Sequence, residues 1–118
     1  MRSKEGTSGL YFETLLDRLG IADAVHDKIV LGPSGRIAEL VARGEAEIAV
    51  QQIPELLPVK DIQYVGPLPA ELQLYTIFAA SVGSVAKDRA AAKAFVDALA
   101  APSEAALFSA KGLEPIPH

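Results

Sequence analysis

The sequence predicts an α/β fold in which helices alternate with short, parallel-paired strands. Three observations carry this. Apolar stripes at helical spacing alternate with short β-branched runs through the first half of the chain, and Gly or Pro marks the breaks between them. Later, residues 74–82 run without a charge and are apolar at both parities, as in a strand covered on both faces.

The first helix is expected over Leu10 to Leu19. Phe12, Leu15, Leu16 and Leu19 fall at i, i+3, i+4 and i+7, with Glu13, Asp17 and Arg18 outside the stripe. Thr7 or Ser8 is placed to cap it, and Gly20 stands where a left-handed C′ residue belongs. Ile21 to Val25 reads as a helical turn. Ile29-Val30-Leu31 reads as a buried strand broken by Gly32-Pro33. Ser34 is placed to cap a second helix with Ile37, Leu40 and Val41 on its inner face, closing at Gly44. Glu47 to Gln51 reads as a second strand, Pro54 to Pro58 as a linker, and Ile62 to Val65 as a third strand stopped by Gly66-Pro67-Leu68-Pro69. After the long strand at 74–82, Asp88 to Ala100 is an Ala-rich helix with Ala92, Phe95, Val96 and Leu99 on one stripe. Pro102 opens a last helix through Lys111, capped by Gly112, and residues 113–118 read as a tail.

Composition narrows the function. The 118 residues are 50% hydrophobic and 22% charged, with a net charge of −4 and a mean hydropathy of +0.25, too apolar for a disordered chain. Counting Gly and omitting Tyr gives about 55% apolar against the usual 45–50%. That is more apolar surface than one small domain readily hides. The acidic balance, with no Lys/Arg run, argues against nucleic acid and anionic membranes as partners. No apolar run approaches the roughly 20 residues of a membrane span. Met1-Arg2-Ser3-Lys4 resembles the basic start of an export signal, but Glu5-Gly6-Thr7-Ser8-Gly9 follows where an apolar core belongs. As written, the chain is therefore expected to carry no leader and to be cytoplasmic.

Catalytic chemistry finds little support. Cysteine is absent, and the histidines are His26 and His118 alone, so no thiolate site, Cys nucleophile or metal cluster is expected. Gly32-Pro33-Ser34-Gly35 lacks the spacing of a nucleophile elbow, and no phosphate loop is present. Glu45/Glu47 and Glu13/Asp17 read as solvated faces. No cofactor is expected.

Polar groups at element ends remain. Gly6-Thr7-Ser8-Gly9 opens into a helix, and free N–H groups at a helix start form a ready oxyanion pocket to which a hydroxyl can add; plain capping is the other reading. Gln51-Gln52 ends an expected strand, where ligands of open α/β sheets bind, or is simply exposed. Tyr75 is either a core aromatic with its hydroxyl at the rim or a ligand donor.

In order, Gly6-Thr7-Ser8-Gly9, Leu16-Asp17-Arg18-Leu19-Gly20-Ile21, Glu39 to Ile48 ("Val-Ala-Arg-Gly-Glu-Ala-Glu-Ile" within it), Val65 to Gln73 ("Gly-Pro-Leu-Pro-Ala-Glu-Leu-Gln") and Lys111-Gly112-Leu113-Glu114-Pro115 cover nearly the whole chain. Together they resemble the C-terminal half of molybdate-binding-type (type II) periplasmic solute-binding proteins of ABC importers. The resemblance implies a periplasmic-binding-protein-like, three-layer α/β sheet with mixed strands, of which only about half the two-lobed fold is present. Residues 1–5 become an N-terminal extension, 6–66 a second-lobe α/β segment, and 67–118 a crossover strand and helices returning to the first lobe.

The implied function is non-catalytic binding of a small oxyanion or organic carboxylate for uptake, with an ABC permease as the family's partner and the periplasm as its location. Thr7, Ser8, Gly9, Gln51 and Tyr75 are the implied ligand-binding positions. The resemblance also reaches aconitate isomerase, which makes an isomerase of an unsaturated tricarboxylate the alternative. A protein-interaction module without a small ligand is a third reading. The apolar surplus, patterned for a sheet that this half does not supply, predicts a homo-oligomer.

Overall fold

The computed structural model describes residues 2–3, 6–33 and 35–116. Ser34, expected to cap a helix, and His118 lie outside the described residues. The chain divides into two units between Leu74 and Tyr75.

In the first unit, strand β1 (Arg2–Ser3) pairs in parallel with β2 (Leu31–Gly32), Arg2 opposite Leu31 and Ser3 opposite Gly32. Between them lie helix α1 (Thr7–Arg18), the short α2 (Ala22–Val25) and a 3₁₀ turn, His26–Lys28. Helices α3 (Ala38–Ala42) and α4 (Ile53–Leu56) follow, then a second 3₁₀ turn, Ala70–Leu72. Helix α4 occupies the stretch expected to be a linker, with Pro54 in its first turn, where a missing N–H costs nothing.

The core of this unit is small. Leu15 and Leu16 of the predicted α1 stripe are buried, as are Ile37, Ala38 and Leu40 around α3. Leu15 and Ile37 retain 2% and 0% exposure, each contributing about 1.5–3 kcal/mol of hydrophobic burial. Leu19 falls outside the core because α1 stops at Arg18.

Both helices end by the same device. Gly20 (φ +67°) donates to the Asp17 carbonyl at 3.0 Å while Ile21 donates to Leu16 at 3.1 Å. Gly44 (φ +73°) donates to Val41 at 2.9 Å while Glu45 donates to Leu40 at 2.8 Å. These are Schellman closures, in which a left-handed residue lets the chain satisfy the last carbonyls and turn away.

The expected strands are corrected by the structure. Residues 47–51, 62–65 and 74–82 lie in no ladder, and β1–β2 is the one pairing among the described residues. A helix satisfies its backbone internally, whereas a strand exists only against a neighbour. The apolar pattern of these segments specifies the faces of a strand but supplies no partner for it.

The second unit carries helix α5 (Arg89–Leu99) and a 3₁₀ turn, Pro102–Glu104, leading into α6 (Ala105–Ala110). Asp88 caps α5 by accepting from the Ala91 N–H at 2.8 Å, and Lys93 pairs with Asp97 one turn on. None of residues 75–116 is buried. On the predicted α5 stripe, Ala92 and Val96 are half-covered while Phe95 is 66% exposed.

Gly20→Ala is expected to destabilise the chain by about 1 kcal/mol in urea unfolding. No atom lies within 4 Å of the added methyl, so the cost comes from the left-handed backbone alone.

Candidate functional site

Helix α1 starts at Thr7 with Gly6 as its N-cap in extended conformation (φ −85°, ψ 150°), and no side chain caps it. The expected capping role of Thr7 or Ser8 is therefore not taken up: both residues already lie inside the first turn. Gly9 is buried, and its N–H donates to the Gly6 carbonyl at 3.0 Å, so that donor is spent within the turn. Thr7 and Ser8 keep N–H and hydroxyl groups with no partner among the described residues. An unpaired first turn carrying partial positive charge suits an anionic oxygen.

Gln51 differs most from its expected setting. Instead of ending a strand, it is 9% exposed, and its Oε1 accepts from the Ala38 N–H at 3.3 Å, at the start of α3. The side chain thus satisfies one orphan donor of that helix from thirteen residues away. Its Nε2 is buried with no hydrogen-bond partner among the described residues. Leaving such a donor unmet costs about 1–3 kcal/mol, and buried polar groups are otherwise nearly always paired.

Around α3, Arg36 grips Glu39 with two bonds, Nε to Oε1 at 3.0 Å and Nη2 to Oε2 at 2.8 Å, while Arg43 reaches Glu45 and, more loosely, Glu39. The hydrogen bond from Arg36 holds the Glu39 carboxyl below its usual range, and the partners raise both arginines. All three groups are solvent-exposed, which limits their effect on stability. The "Val-Ala-Arg-Gly-Glu-Ala-Glu-Ile" stretch is therefore the closing turn of α3, with Gly44 reversing the chain and Arg43 latching it.

The "Gly-Pro-Leu-Pro-Ala-Glu-Leu-Gln" stretch is also self-contained. Gln73 Oε1 accepts from the Leu68 N–H at 3.1 Å across the 3₁₀ turn. The turn is tied to α1 by Tyr11, whose hydroxyl donates to the Leu72 carbonyl at 2.5 Å. Sequence reasoning missed Tyr11; its signal was a half-polar aromatic beside the α1 stripe.

Thr7, Ser8, Gly9 and Gln51 thus share the first unit, with no hydrogen bond joining Gln51 to the helix start among the described residues. Tyr75 belongs to the second unit and is 68% exposed, not a core aromatic. Among the described residues, no group of three His, Asp or Glu side chains could hold a metal ion, and no helix is long and apolar enough to cross a membrane.

Comparison with known proteins gives the class to which the chain belongs. Residues 1–114 match the family described as bacterial extracellular solute-binding protein, and the chain belongs to that family. Membership points to a periplasmic-binding-protein fold. Among curated relatives, the chain is 31% identical over 114 residues to an aconitate isomerase from Pseudomonas sp., covering 96% of this chain and 44% of that one. The chain thus spans less than half the length of that relative. No solved structure matches.

Two outcomes follow. Tyr11→Phe is expected to cost about 1 kcal/mol in chemical denaturation, since it leaves the Leu72 carbonyl without its donor. Glu39 should titrate below the ordinary glutamate range, read from its side-chain carbonyl by NMR. Its contribution is present above that range and lost as pH falls through its lowered pKa; Arg36→Gln should move the midpoint up toward the ordinary value, with Arg43 still lowering it.

Proposed function

We propose that this chain is a non-catalytic solute-binding module whose parent fold holds a small oxyanion or organic carboxylate, in the manner of the molybdate-binding type, for ABC-type uptake in the periplasm. The observation that carries this reading is the Gln51 side chain: nine-tenths buried, fixed through Oε1, with Nε2 unmet. A fixed donor without a partner is complementary to an acceptor oxygen, which reaches it only once the atoms that cover Nε2 give way. Thr7 and Ser8, in the first turn and without a hydrogen-bond partner among the described residues, offer more donors of the same kind, and Tyr75 is a further proposed ligand position. All of these donors are uncharged or backbone, which suits an anion that must be released as well as held.

Gln51→Glu is the informative variant. It keeps an oxygen for the Ala38 N–H but replaces the donor with negative charge. Titration calorimetry and side-chain amide shifts with molybdate, tungstate, sulfate and small di- and tricarboxylates are expected to show weak binding to the chain. Binding should be stronger when the rest of the family fold is restored, and lost in Gln51→Glu. Absence of binding to every anion in both forms would remove this reading.

The similarity to an aconitate isomerase favours a second reading, turnover of an unsaturated tricarboxylate. That chemistry needs a base within reach of a C–H proton, and Glu71 and Tyr75 are the candidates. Conversion of cis- to trans-aconitate, lost in Glu71→Gln or Tyr75→Phe, would replace binding by catalysis. A protein-interaction role without a small ligand would instead give co-purification of a second polypeptide and no anion response. The homo-oligomer implied by the apolar surplus and the half-fold resemblance is also proposed, and a stable monomer in sedimentation at tens of micromolar would count against it.

A further inference from the structure

Between Glu71 and Lys87 lie fifteen residues without a charge, and within them residues 75–82 contain neither Gly nor Pro. Tyr75, Thr76, Ile77, Phe78 and Val82 are β-branched or aromatic, the side chains that fit a pleated surface. The segment lies in no helix and no ladder, and its backbone makes no hydrogen bond among the described residues. Tyr75, Ile77 and Phe78 are 68%, 73% and 66% exposed. In a strand, Tyr75 and Ile77 fall on one face and Thr76 and Phe78 on the other, and neither face is covered.

Proteins blunt such segments with a charge, a proline or a bulge, since a row of free N–H and carbonyl groups is a template for another chain. The other two segments patterned as strands are blunted. Residues 47–51 begin with Glu47, and residues 62–65 run between Asp61 and Gly66-Pro67. Residues 75–82 have no such break within them.

We propose that residues 75–82 are a self-assembly segment, which stacks on the same residues of further copies of this chain as parallel, in-register strands of an open-ended cross-β array. Charge argues for copies of the same segment as the occupant. In-register stacking sets each side chain against its own copy at intervals of about 4.7 Å. A charged residue would meet like charge in every layer, and this segment has none. The two uncovered faces decide between an array and a dimer. A twofold partner pairs one strand edge and covers at most one face, whereas sheets stacked about 10 Å apart cover both. The proposal rests on the homo-oligomer reading and gives its form, open-ended rather than closed, and it requires no ligand.

The test follows the 118-residue chain from micromolar to millimolar concentration by thioflavin fluorescence, fibre diffraction and amide exchange of the assembled material. Reflections near 4.7 and 10 Å are expected, with exchange across residues 75–82 slowed at least about a hundredfold relative to the soluble chain. Ile77→Lys and Phe78→Lys should each lengthen the lag at least about tenfold at low salt. Salt near 1 M, where screening acts within about 3 Å, should shorten it again. Both side chains are exposed, so neither change removes a buried residue of the first unit. A 1:1 mixture of Ile77→Lys with Ile77→Glu should assemble about as fast as the unsubstituted chain, because stacked layers then alternate opposite charges. A chain that stays monomeric, or stops at a closed dimer, would overturn the proposal, and the dimer would leave the homo-oligomer reading standing. Fibres in which residues 75–82 exchange freely, or whose lag neither lysine substitution changes, would overturn it as well.

Discussion

Backbone hydrogen bonding constrains this molecule more than any single contact does. Every buried N–H and carbonyl must be paired. Helices α1 and α5 do this within twelve and eleven residues, so they form wherever their sequence permits. An extended segment must borrow partners, and the one loan made among the described residues is the two-residue pairing of β1 with β2. Segments 47–51, 62–65 and 74–82 carry the side chains of strands but, among the described residues, lack the neighbours.

That asymmetry separates the two units. The first gathers Leu15 and Leu16 of α1 with Ile37, Ala38 and Leu40 at and just before α3 into a core, and closes its loops with side-chain amides and a tyrosine hydroxyl. In the second, α5 has a capped start and an ion pair along its exposed side, so its helical form does not depend on burial. Local signals are enough to make a helix and not enough to make a core.

The same distinction explains what could be read from the sequence. The α1 stripe, the inner-face residues Ile37 and Leu40, and the glycines that close α1 and α3 were legible because each is a pattern within a few residues. Strand pairing was not, since it depends on segments far away in the chain. At the candidate site, Gln51 stood out as a polar residue ending an apolar run, but its burial against Ala38 is set by a contact thirteen residues distant. Tyr11 and Leu72 are sixty-one apart, and nothing local marks them as a pair. Thr7 and Ser8 could be read as cap or as donor, and the position of Gly6 as N-cap takes the first role from both.

Gln51 joins the two themes. Its carbonyl does a structural task at the start of α3, which fixes the side chain, and its amide nitrogen is left buried and unmet. An exposed glutamine would lose rotamer freedom on meeting a ligand; this one has already lost it to the Ala38 bond. The unmet donor costs stability of about 1–3 kcal/mol. The Gly9 N–H, committed to Gly6, has nothing comparable to offer. Of the residues that the sequence nominates, Gln51 is thus held by the fold at one end and left incomplete at the other.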